Sequence, residues 1–552
     1  MNIQISTKRP KPFVLLILDG FGVSQPNRGN AVTLAKTPNL DEYWKKYQHT
    51  YLQASGNYVG LPQGIQGNSE VGHMSIGAGK IIFQEIARID REIEKHLFFS
   101  NATYKQAIDH VKKYNGNFHL MGLVSDGKVH SSLDHLFACL EFCKKEGLNA
   151  ERIFIHAFTD GRDSPPKSAL KFLSAIKSKN IGRIASVIGR YFAMDRDQRW
   201  ERTRQAYELL VEGIGTKVKS VEDVLDSSYR QNITDEYIKP HVIVENDLPI
   251  GIVNSGDALI FFNYRADRAV QLSEAFDEEN FNNFPIKKLE NFFFAGFSNY
   301  EKGIPMTRAE EDIQVPGGES AFVKDLFQEE LKITHNFPKK QIFPPEEILY
   351  SLGKIVSDEG LRQLRIAESE KYPHVTYFFG CREKGILPGE DRIEISSPKD
   401  VSTYDQKPEM SAYEITKTVE QKIQDNIYDF ILVNFAQTDM VAHTGNLEAS
   451  IKCVEVADEC MGRIVKATLE KGGEVLITAD HGNVEELINL QTGEIDTQHS
   501  TNPVPFVLVS NENFPKKDIP IGMLADIGPT VLNRLKIVQP DQMIGRNLVS
   551  SI

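Results

Sequence analysis

The stretch FVLLILDG at residues 13–20 sets how the rest of the sequence is interpreted. Its apolar residues 13–18 are typical of a strand buried on both faces, and the run ends in a carboxylate and a glycine. Similar short apolar runs, many rich in β-formers, recur along the chain. They occupy residues 118–124, 153–158, 184–188, 258–262, 291–297, 374–379, 430–435, 475–478 and 505–509.

Longer segments with helical character lie between many of these runs, at residues 132–145, 168–179, 199–211, 412–424 and 448–471. Buried strands that alternate with helices predict an α/β fold with a largely parallel sheet. Residues 301–345 differ, because they contain loop signals such as Pro316-Gly317-Gly318 and Pro344-Pro345. We expect this stretch to link two α/β modules.

Length and charge limit the function classes. The chain has 552 residues, enough for two to four domains of about 150 residues each. Its net charge of −13 disfavours nucleic-acid binding but permits small anions, whose binding depends on local charge. The five cysteines form no C-x-x-C pair, which is typical of reduced thiols. No run approaches the ~20 apolar residues of a membrane span, so we expect a cytoplasmic protein without a membrane partner.

Six of the apolar runs lead directly into polar residues. Ligands of open α/β sheets bind beyond the carboxyl ends of the strands, so this pattern indicates a site. One Asp-Gly after a strand would be ordinary turn chemistry, but six cases carrying His, Asp and Arg favour function. The sequences concerned are DG at 19–20, SDGKVH at 125–130, TDGRD at 159–163, GR at 189–190, NYR at 263–265 and ADHGN at 479–483.

Candidate metal ligands occur in the last third of the chain and after the first run. Asp439 and His443 are four residues apart and would share one face of a helical turn. Carboxylates and imidazoles without thiolates suit Mn²⁺ or Zn²⁺, with Co²⁺ and Fe²⁺ as alternatives. A lone histidine is more often an ordinary buried residue, but this set suffices for two ions. It comprises Asp19, Asp439, His443, Asp480, His481 and His499.

Ser69 is the candidate nucleophile. It lies in the Gly-rich segment QGNSEVGH at 66–73, which leads into a helix-like stretch. A helix starting there would place the hydroxyl near the positive end of the helix dipole, a favourable place for phosphate. A free serine is a weak nucleophile, and a two-metal site would activate it. The alternative, that Ser69 only caps the helix, is equally supported by the spacing.

A basic cluster lies within residues 126–268. The guanidinium group binds phosphate and carboxylate in a bidentate manner, so converging arginines predict a site for a small dianion. The alternative is a solvated surface with local ion pairs. The cluster comprises His130, Arg162, Asp163, Arg190, Arg196, Arg265 and Arg268.

Ten motifs follow one another along nearly the whole chain: VLLILDGFG (14–22), GNSEVGH (67–73), SDGKVHS (125–131), HAFTDGRDSPP (156–166), GRYFAMDRDQRW (189–200), NYRADRA (263–269), LRIAESEKYPHVT (364–376), TDMVAHTG (438–445), ADHGN (479–483) and HSTNPVP (499–505). In this order they resemble the 2,3-bisphosphoglycerate-independent phosphoglycerate mutases of the alkaline phosphatase superfamily. The chain departs from the family pattern at Ala266, Gln437, Ala442 and FGCRE (379–383), and none of these is a candidate ligand.

The resemblance implies a role for each candidate residue. Ser69 would be the phosphorylated nucleophile, Lys371 would stabilise charge beside it, and Asp163 would shuttle protons to the glycerate hydroxyls. Two divalent ions are implied, with Mn²⁺ favoured and Mg²⁺, Co²⁺ or Zn²⁺ as alternatives. One ion would bind Asp439, His443 and His499, and the other Asp19, Ser69, Asp480 and His481. The substrate would contact His130, Arg162, Asp163, Arg190, Arg196, Arg265, Arg268 and Lys371.

The implied fold has two α/β domains. An alkaline-phosphatase-like metal domain, residues 1–83 and 346–552, would be interrupted by a phosphotransferase domain at 84–345. The implied reaction interconverts 3-phosphoglycerate and 2-phosphoglycerate in glycolysis and gluconeogenesis, through a phosphoserine and in a monomer. The alternatives are another superfamily phosphatase or phosphopentomutase, which the arginine cluster disfavours, and a non-catalytic metal- or metabolite-binding protein. Retention of Ser69 and every candidate ligand argues against that last class.

Overall fold

The computed structural model describes residues 9–300, 339–344, 346, 348–383, 385–512 and 519–549. The chain divides into two compact units, Met1–Gln84 with Glu347–Ile552, and Glu85–Glu346. Each unit has its own mixed sheet and its own buried apolar core, which confirms the predicted α/β class with two domains. Most of the predicted linker, residues 301–338 and 345, lies outside the described residues.

The first unit is built on a sheet of order β12-β11-β13-β1-β14-β15-β2-β16. The apolar run Phe13–Leu18 is strand β1 of this sheet, fully buried and parallel to both β13 and β14. A strand covered on both faces needs a continuous apolar run, which explains its composition. The strands are β1 Phe13–Leu18, β2 Gln48–Gln53, β11 Gln363–Glu368, β12 Glu390–Ile395, β13 Phe430–Phe435, β14 Glu474–Thr478, β15 Val504–Val509 and β16 Gly522–Met523.

Helices pack around this sheet. The longest, Leu447–Glu470, starts at an Asn446 cap and contacts the sheet through its buried face. The other α-helices are Ala31–Leu34, Pro38–Lys46, Ser69–Ala78, Leu352–Asp358, Ala412–Asp425, Gln437–Ala442 and Ile527–Arg534.

One predicted strand is wrong. Residues 374–379 were expected to resemble the buried strands, but His374–Phe378 forms a π-helix. A short apolar run cannot be assigned from periodicity alone, and here Pro373 precedes it in the right-handed helical conformation. The strand β11 lies just upstream instead.

The second unit has a sheet of order β10-β9-β3-β4-β5-β7-β6, with β8 paired to β7. The four neighbours β9, β3, β4 and β5 are parallel, so their carboxyl ends share one edge. The strands are β3 Phe118–Val124, β4 Ile153–Thr159, β5 Arg183–Gly189, β6 Thr216–Val218, β7 His241–Glu245, β8 Leu248–Pro249, β9 Ala258–Phe261 and β10 Phe293–Gly296.

The α-helices of the second unit are Glu85–Glu94, Ala102–Tyr114, Leu133–Lys145, Ala169–Ser178, Arg190–Ala193, Trp200–Glu212, Val221–Arg230 and Val270–Asp277. The predicted helices at 132–145, 168–179 and 199–211 agree with these bounds to within one or two residues. Across both units, no helix in the described ranges is long and apolar enough to cross a membrane.

Candidate active site

Three neighbouring parallel strands place the first group of candidate ligands. Asp19 follows β1, Asp439 lies in the short helix after β13, and Asp480 with His481 follows β14. Because β13, β1 and β14 are adjacent and parallel, their carboxyl ends lie at the same edge of the sheet. The strand order therefore brings together side chains that are more than 400 residues apart in the chain.

Ser69 is the first residue of the helix Ser69–Ala78, and the cap is its neighbour Asn68, whose side chain accepts a hydrogen bond from Val71 N at 3.1 Å. The interpretation of Ser69 as a mere helix cap is therefore wrong. The Ser69 hydroxyl instead donates to Asp19 Oδ1 at 3.1 Å and lies 3.0 Å from His481 Nε2. A buried hydroxyl at a helix N-terminus, surrounded by charged groups, is suited to carry a phosphoryl group.

Lys371 joins this group from the segment after β11. Its ammonium donates to Ser69 Oγ at 2.8 Å, to Asp19 Oδ1 at 2.7 Å and to Asp439 Oδ2 at 2.6 Å. Burial would lower the pKa of Lys371, but Asp19 and Asp439 raise it above its ordinary value. Conversely, burial would raise the pKa of Asp19, but Lys371 and then His481 lower it below its ordinary value. The lysine therefore stays charged beside the Ser69 oxygen.

Asp439, His443 and His499 direct three lone-pair atoms at one point. Asp439 Oδ1 lies 3.3 Å from His443 Nε2 and 3.4 Å from His499 Nε2, and the two imidazole nitrogens are 3.1 Å apart. Each Nδ1 lies 2.9 Å from a backbone carbonyl oxygen, of Thr497 and Gly67 respectively, so each Nε2 is left as an acceptor. Two ligands about 2.1 Å from one ion, at about 90–110°, would be separated by about 3.0–3.4 Å.

Ligand atoms within 4.8 Å of one another define two groups: Asp439 with His481 and His499, and Asp19 with His73 and Asp480. His73 was missed in the sequence analysis, although it lies four residues after Ser69 and so shares its helix face. Its Nδ1 lies 2.9 Å from Ser69 O and 3.1 Å from Asp480 Oδ2. Asn434 was also missed, and it donates to Asp19 Oδ2 at 2.7 Å. His481 Nε2 lies 3.4 Å from Asp19 and 3.9 Å from Asp439, close to both groups.

The donor set fits divalent metal ions. Asp19, Asp439 and Asp480 are buried carboxylates facing a single ammonium, so the group has an excess of negative charge. These carboxylates raise the pKa of His481 to about 10 against the effect of its burial. Asp480 Oδ2 is buried and makes no hydrogen bond among the described residues, although His73 Nδ1 lies 3.1 Å from it. Buried carboxylates with free lone pairs, mixed with imidazoles, are ligands for Mn²⁺, Zn²⁺ or Co²⁺.

The second unit presents the basic cluster at the carboxyl ends of β9, β3, β4 and β5. Arg190 is 2% exposed and donates to Asp160 Oδ1 at 2.7 Å and to Asp163 Oδ2 at 2.5 Å. His130 Nε2 lies 3.9 Å from the same Asp163 oxygen. Arg162 is more exposed, with its nearest carboxylate, Glu236, at 3.8 Å.

Asp267 connects the rest of this cluster and was not singled out from the sequence. It lies 3.2 Å from Arg196, 3.1 Å from Arg265 and 3.5 Å from His130. Burial lowers the pKa of His130 to about 4, with Asp267 opposing this effect. Burial, together with Arg196 and Arg190, lowers the pKa of Arg268 to about 10. Arg196 and Arg190 lie close enough to Arg268 to lower its pKa, as expected for a site that receives an anion.

Fold and site together describe a two-domain α/β protein whose buried carboxylates and imidazoles suit divalent metal ions. A family model described as "BPG-independent PGAM N-terminus" matches residues 89–302. The chain is 45% identical over 543 residues to a 2,3-bisphosphoglycerate-independent phosphoglycerate mutase of Clostridium tetani, covering 98% of this chain and 99% of that protein. The corresponding protein of Moorella thermoacetica is 46% identical over 545 residues, with 98% of both chains covered.

The fold of this chain agrees with that of a solved phosphoglycerate mutase. A crystal structure of Leishmania mexicana phosphoglycerate mutase at low cobalt concentration matches with a TM-score of 0.59 and 27% identity, over 99% of this chain and 98% of that chain. The chain belongs to the family of 2,3-bisphosphoglycerate-independent phosphoglycerate mutases.

Proposed function

We propose that this enzyme interconverts 3-phosphoglycerate and 2-phosphoglycerate without 2,3-bisphosphoglycerate, and that Ser69 carries the phosphoryl group between the two hydroxyls. The observation that carries this proposal is the position of the Ser69 hydroxyl, buried at a helix N-terminus and in contact with Asp19, His481 and Lys371. Family membership supports the substrate, and the residue roles rest on the geometry.

The Ser69 hydroxyl first loses its proton to solvent. In the first half-reaction, the deprotonated Ser69 Oγ forms a bond to phosphorus while the bond between phosphorus and the glycerate oxygen breaks. Lys371 donates a hydrogen bond to Oγ, which favours its deprotonated form and offsets charge on the phosphoryl oxygens. Asp163, hydrogen-bonded by Arg190, gives its proton to the leaving glycerate oxygen. In the second half-reaction the other glycerate hydroxyl attacks the phosphorus and gives its proton to Asp163. The bond between phosphorus and Ser69 Oγ breaks and leaves Oγ deprotonated beside Lys371.

Two divalent cations complete this site. We assign Asp439, His443 and His499 to one ion, and Asp19, Ser69, Asp480 and His481 to the other, with Mn²⁺ preferred. When bound, such ions lower the pKa of a coordinated hydroxyl and stabilise phosphoryl oxygens. The convergence of Asp439, His443 and His499 supports the first assignment, and the contacts of Ser69 Oγ with Asp19 and His481 support the second.

The basic cluster of the second unit would bind the phosphate and carboxylate of the substrate. Positive charge comes from five arginines, which outnumber the carboxylates paired with them: Arg162, Arg190, Arg196, Arg265 and Arg268. His130, whose pKa is lowered by burial, would contribute a hydrogen bond and no charge. Holding glycerate after the first transfer matters, because its loss would leave a phosphoserine open to hydrolysis. We also propose that the enzyme acts as a cytoplasmic monomer, in keeping with five free, buried cysteines.

A direct test uses 3-phosphoglycerate with Mn²⁺ and no bisphosphoglycerate, with and without EDTA. Ser69→Ala should abolish formation of 2-phosphoglycerate, and EDTA should abolish it in the wild type. Ser75→Ala is the matched control, because Ser75 is buried in the same helix and its hydroxyl has no partner in the described structure. It should retain wild-type turnover.

Three other outcomes would contradict the proposal. Turnover that persists in Ser69→Ala would exclude the phosphoserine. Release of inorganic phosphate in place of 2-phosphoglycerate would indicate a phosphatase. Absence of turnover in the metal-loaded wild type would indicate a binding protein.

A further inference from the structure

Glu485 is a buried carboxylate for which the mechanism above has no use. It has no exposed surface, and both of its oxygens accept hydrogen bonds. Oε2 accepts from Gly22 N at 3.0 Å and from Asn483 N at 2.9 Å. Oε1 accepts from the Ser500 hydroxyl and from Asn502 Nδ2 at 3.0 Å. Four donors on one buried carboxylate are enough to offset its loss of hydration.

The donors come from three separate loops, and each loop carries candidate metal ligands. The loops meet in the backbone as well, since Val484 N donates to Gly20 O at 3.0 Å and Ser500 N donates to Gly482 O at 2.9 Å. Glu485 is therefore the side chain through which all three loops are joined. In chain order, Gly22 follows Asp19, Asn483 follows His481, and Ser500 directly follows His499.

Two glycines make room for this carboxylate. A Cβ on Gly22 would lie 2.2 Å from the carboxylate carbon of Glu485, and a Cβ on Gly482 would lie 2.5 Å from Glu485 Oε1. Both distances are far below van der Waals contact, so any larger residue would displace the carboxylate from its donors. The glycines thus belong to the same arrangement as Glu485.

We propose that Glu485 is a positioning residue, which holds the three ligand-bearing loops at the spacing that two divalent ions require. This inference rests on the proposed metal site. Groups that orient metal ligands typically contribute 10–100-fold to metal affinity. Glu485 differs from a general structural carboxylate because its partners lie in the loops that carry Asp19, His481 and His499.

Glu474 provides the matched control. It is also a buried carboxylate of the first unit, at the start of β14, and it pairs with Arg534 Nε at 2.8 Å and the Ser510 hydroxyl at 2.8 Å. It lies at the end of β14 opposite to Asp480. Glu474→Gln should lower the thermal midpoint of the metal-free protein but leave its Mn²⁺ affinity within twofold of wild type.

The experiment titrates the metal-free full-length chain with Mn²⁺, with calorimetry for affinity and electron paramagnetic resonance for free Mn²⁺. Glu485→Leu leaves four donors without an acceptor and should weaken binding 10–100-fold. Glu485→Gln should lose less Mn²⁺ affinity than Glu485→Leu. Its amide oxygen can accept from the two backbone donors, while Ser500 and Asn502 become acceptors for its amide N–H groups. Gly22→Ala keeps the charge of Glu485 but displaces it, and should lose affinity like Glu485→Leu.

Wild-type affinity in Glu485→Leu or Gly22→Ala would overturn the inference, as would an equal loss in Glu474→Gln. Glu485→Gln could lose as much Mn²⁺ affinity as Glu485→Leu while Gly22→Ala loses none. The charge of Glu485 would then matter and its position would not, which also contradicts the inference. If Glu485→Leu does not fold, Glu485→Gln and Gly22→Ala decide the question. Failure of the wild type to bind Mn²⁺ would overturn the proposed metal site itself, so the two failures are distinguishable.

Discussion

At the scale of single residues, Lys371 offers the sharpest test of transition-state stabilisation. Its ammonium contacts Ser69, Asp19 and Asp439, and it is buried with them. Lys371→Met keeps the length of the side chain but removes the charge, so kcat should fall about 10²–10³-fold while KM changes little. Lys354→Met, which changes a half-buried lysine of the same unit, should leave both parameters unchanged. A kcat within fivefold of wild type would exclude an electrostatic role for Lys371.

The buried Glu368 makes the stability of the first unit depend on pH. Burial raises the pKa of Glu368 from 4.5 to about 7, so the folded state favours the protonated acid. Its stabilising contribution is complete below pH 4.5 and is lost as the pH rises to about 7. Glu368→Gln keeps the acceptor for Ser411 N but cannot ionise. Its unfolding free energy relative to wild type should therefore rise by about 2–3 kcal/mol between pH 5 and pH 8.

The measurement is thermal or urea unfolding of the metal-free protein at the two pH values. Glu414→Gln is the control, since Glu414 is exposed nearby on the helix Ala412–Asp425. A pH-independent difference between Glu368→Gln and wild type would contradict the prediction.

At the scale of elements, the turn after the π-helix contains backbone strain. Cys381 and Arg382 have φ values of +57° and +73°, a region that costs residues other than glycine about 1 kcal/mol. Arg382 is exposed, and its N–H donates to Tyr377 O at 2.8 Å, a bond that glycine would keep. Arg382→Gly should stabilise the protein by about 0.5–1 kcal/mol in urea unfolding. Glu359→Gly, at an exposed position with φ −77°, should destabilise it.

The same scale shows what the sequence could and could not predict. Strands such as β1, β3 and β13 were predicted because continuous apolar runs require burial on both faces. The strand β11 was missed because Arg365 and Glu368 interrupt its apolar pattern. Arg365 is nevertheless buried, because Glu390 of the neighbouring strand lies 3.2 Å from its guanidinium. Such a pair depends on tertiary structure, so no local pattern reveals it.

At the scale of the whole molecule, the site could be predicted residue by residue but not as an arrangement. Asp19, Asp480 and His481 were recognised because they follow apolar runs. Which residues share one ion depends on the strand order β13-β1-β14, which sequence periodicity does not encode. His73, Asn434 and Asp267 were missed for the same reason, because each is recognised only by what it contacts.

The division of the chain into two units leads to a prediction about products. If the first unit transfers the phosphoryl group and the second retains glycerate, then weakening the second should change the product and not only the rate. Arg265→Ala removes a half-buried guanidinium that lies 3.1 Å from Asp267. Glycerate should then leave before the second transfer, and water should hydrolyse the phosphoserine. The ratio of inorganic phosphate to 2-phosphoglycerate should rise at least about tenfold, since the loss of one charge-assisted contact costs about 1.5–3 kcal/mol.

Both products should be measured in the same samples, together with Mn²⁺ affinity, which should not change because no candidate metal ligand lies in the second unit. Arg230→Ala removes an exposed arginine of that unit, which pairs along its own helix with Asp226, and should leave the ratio unchanged. A proportional fall of both products in Arg265→Ala would mean that Arg265 assists the transfer itself. Retention of glycerate would then have to depend on other residues, and the separation of roles between the two units would not hold.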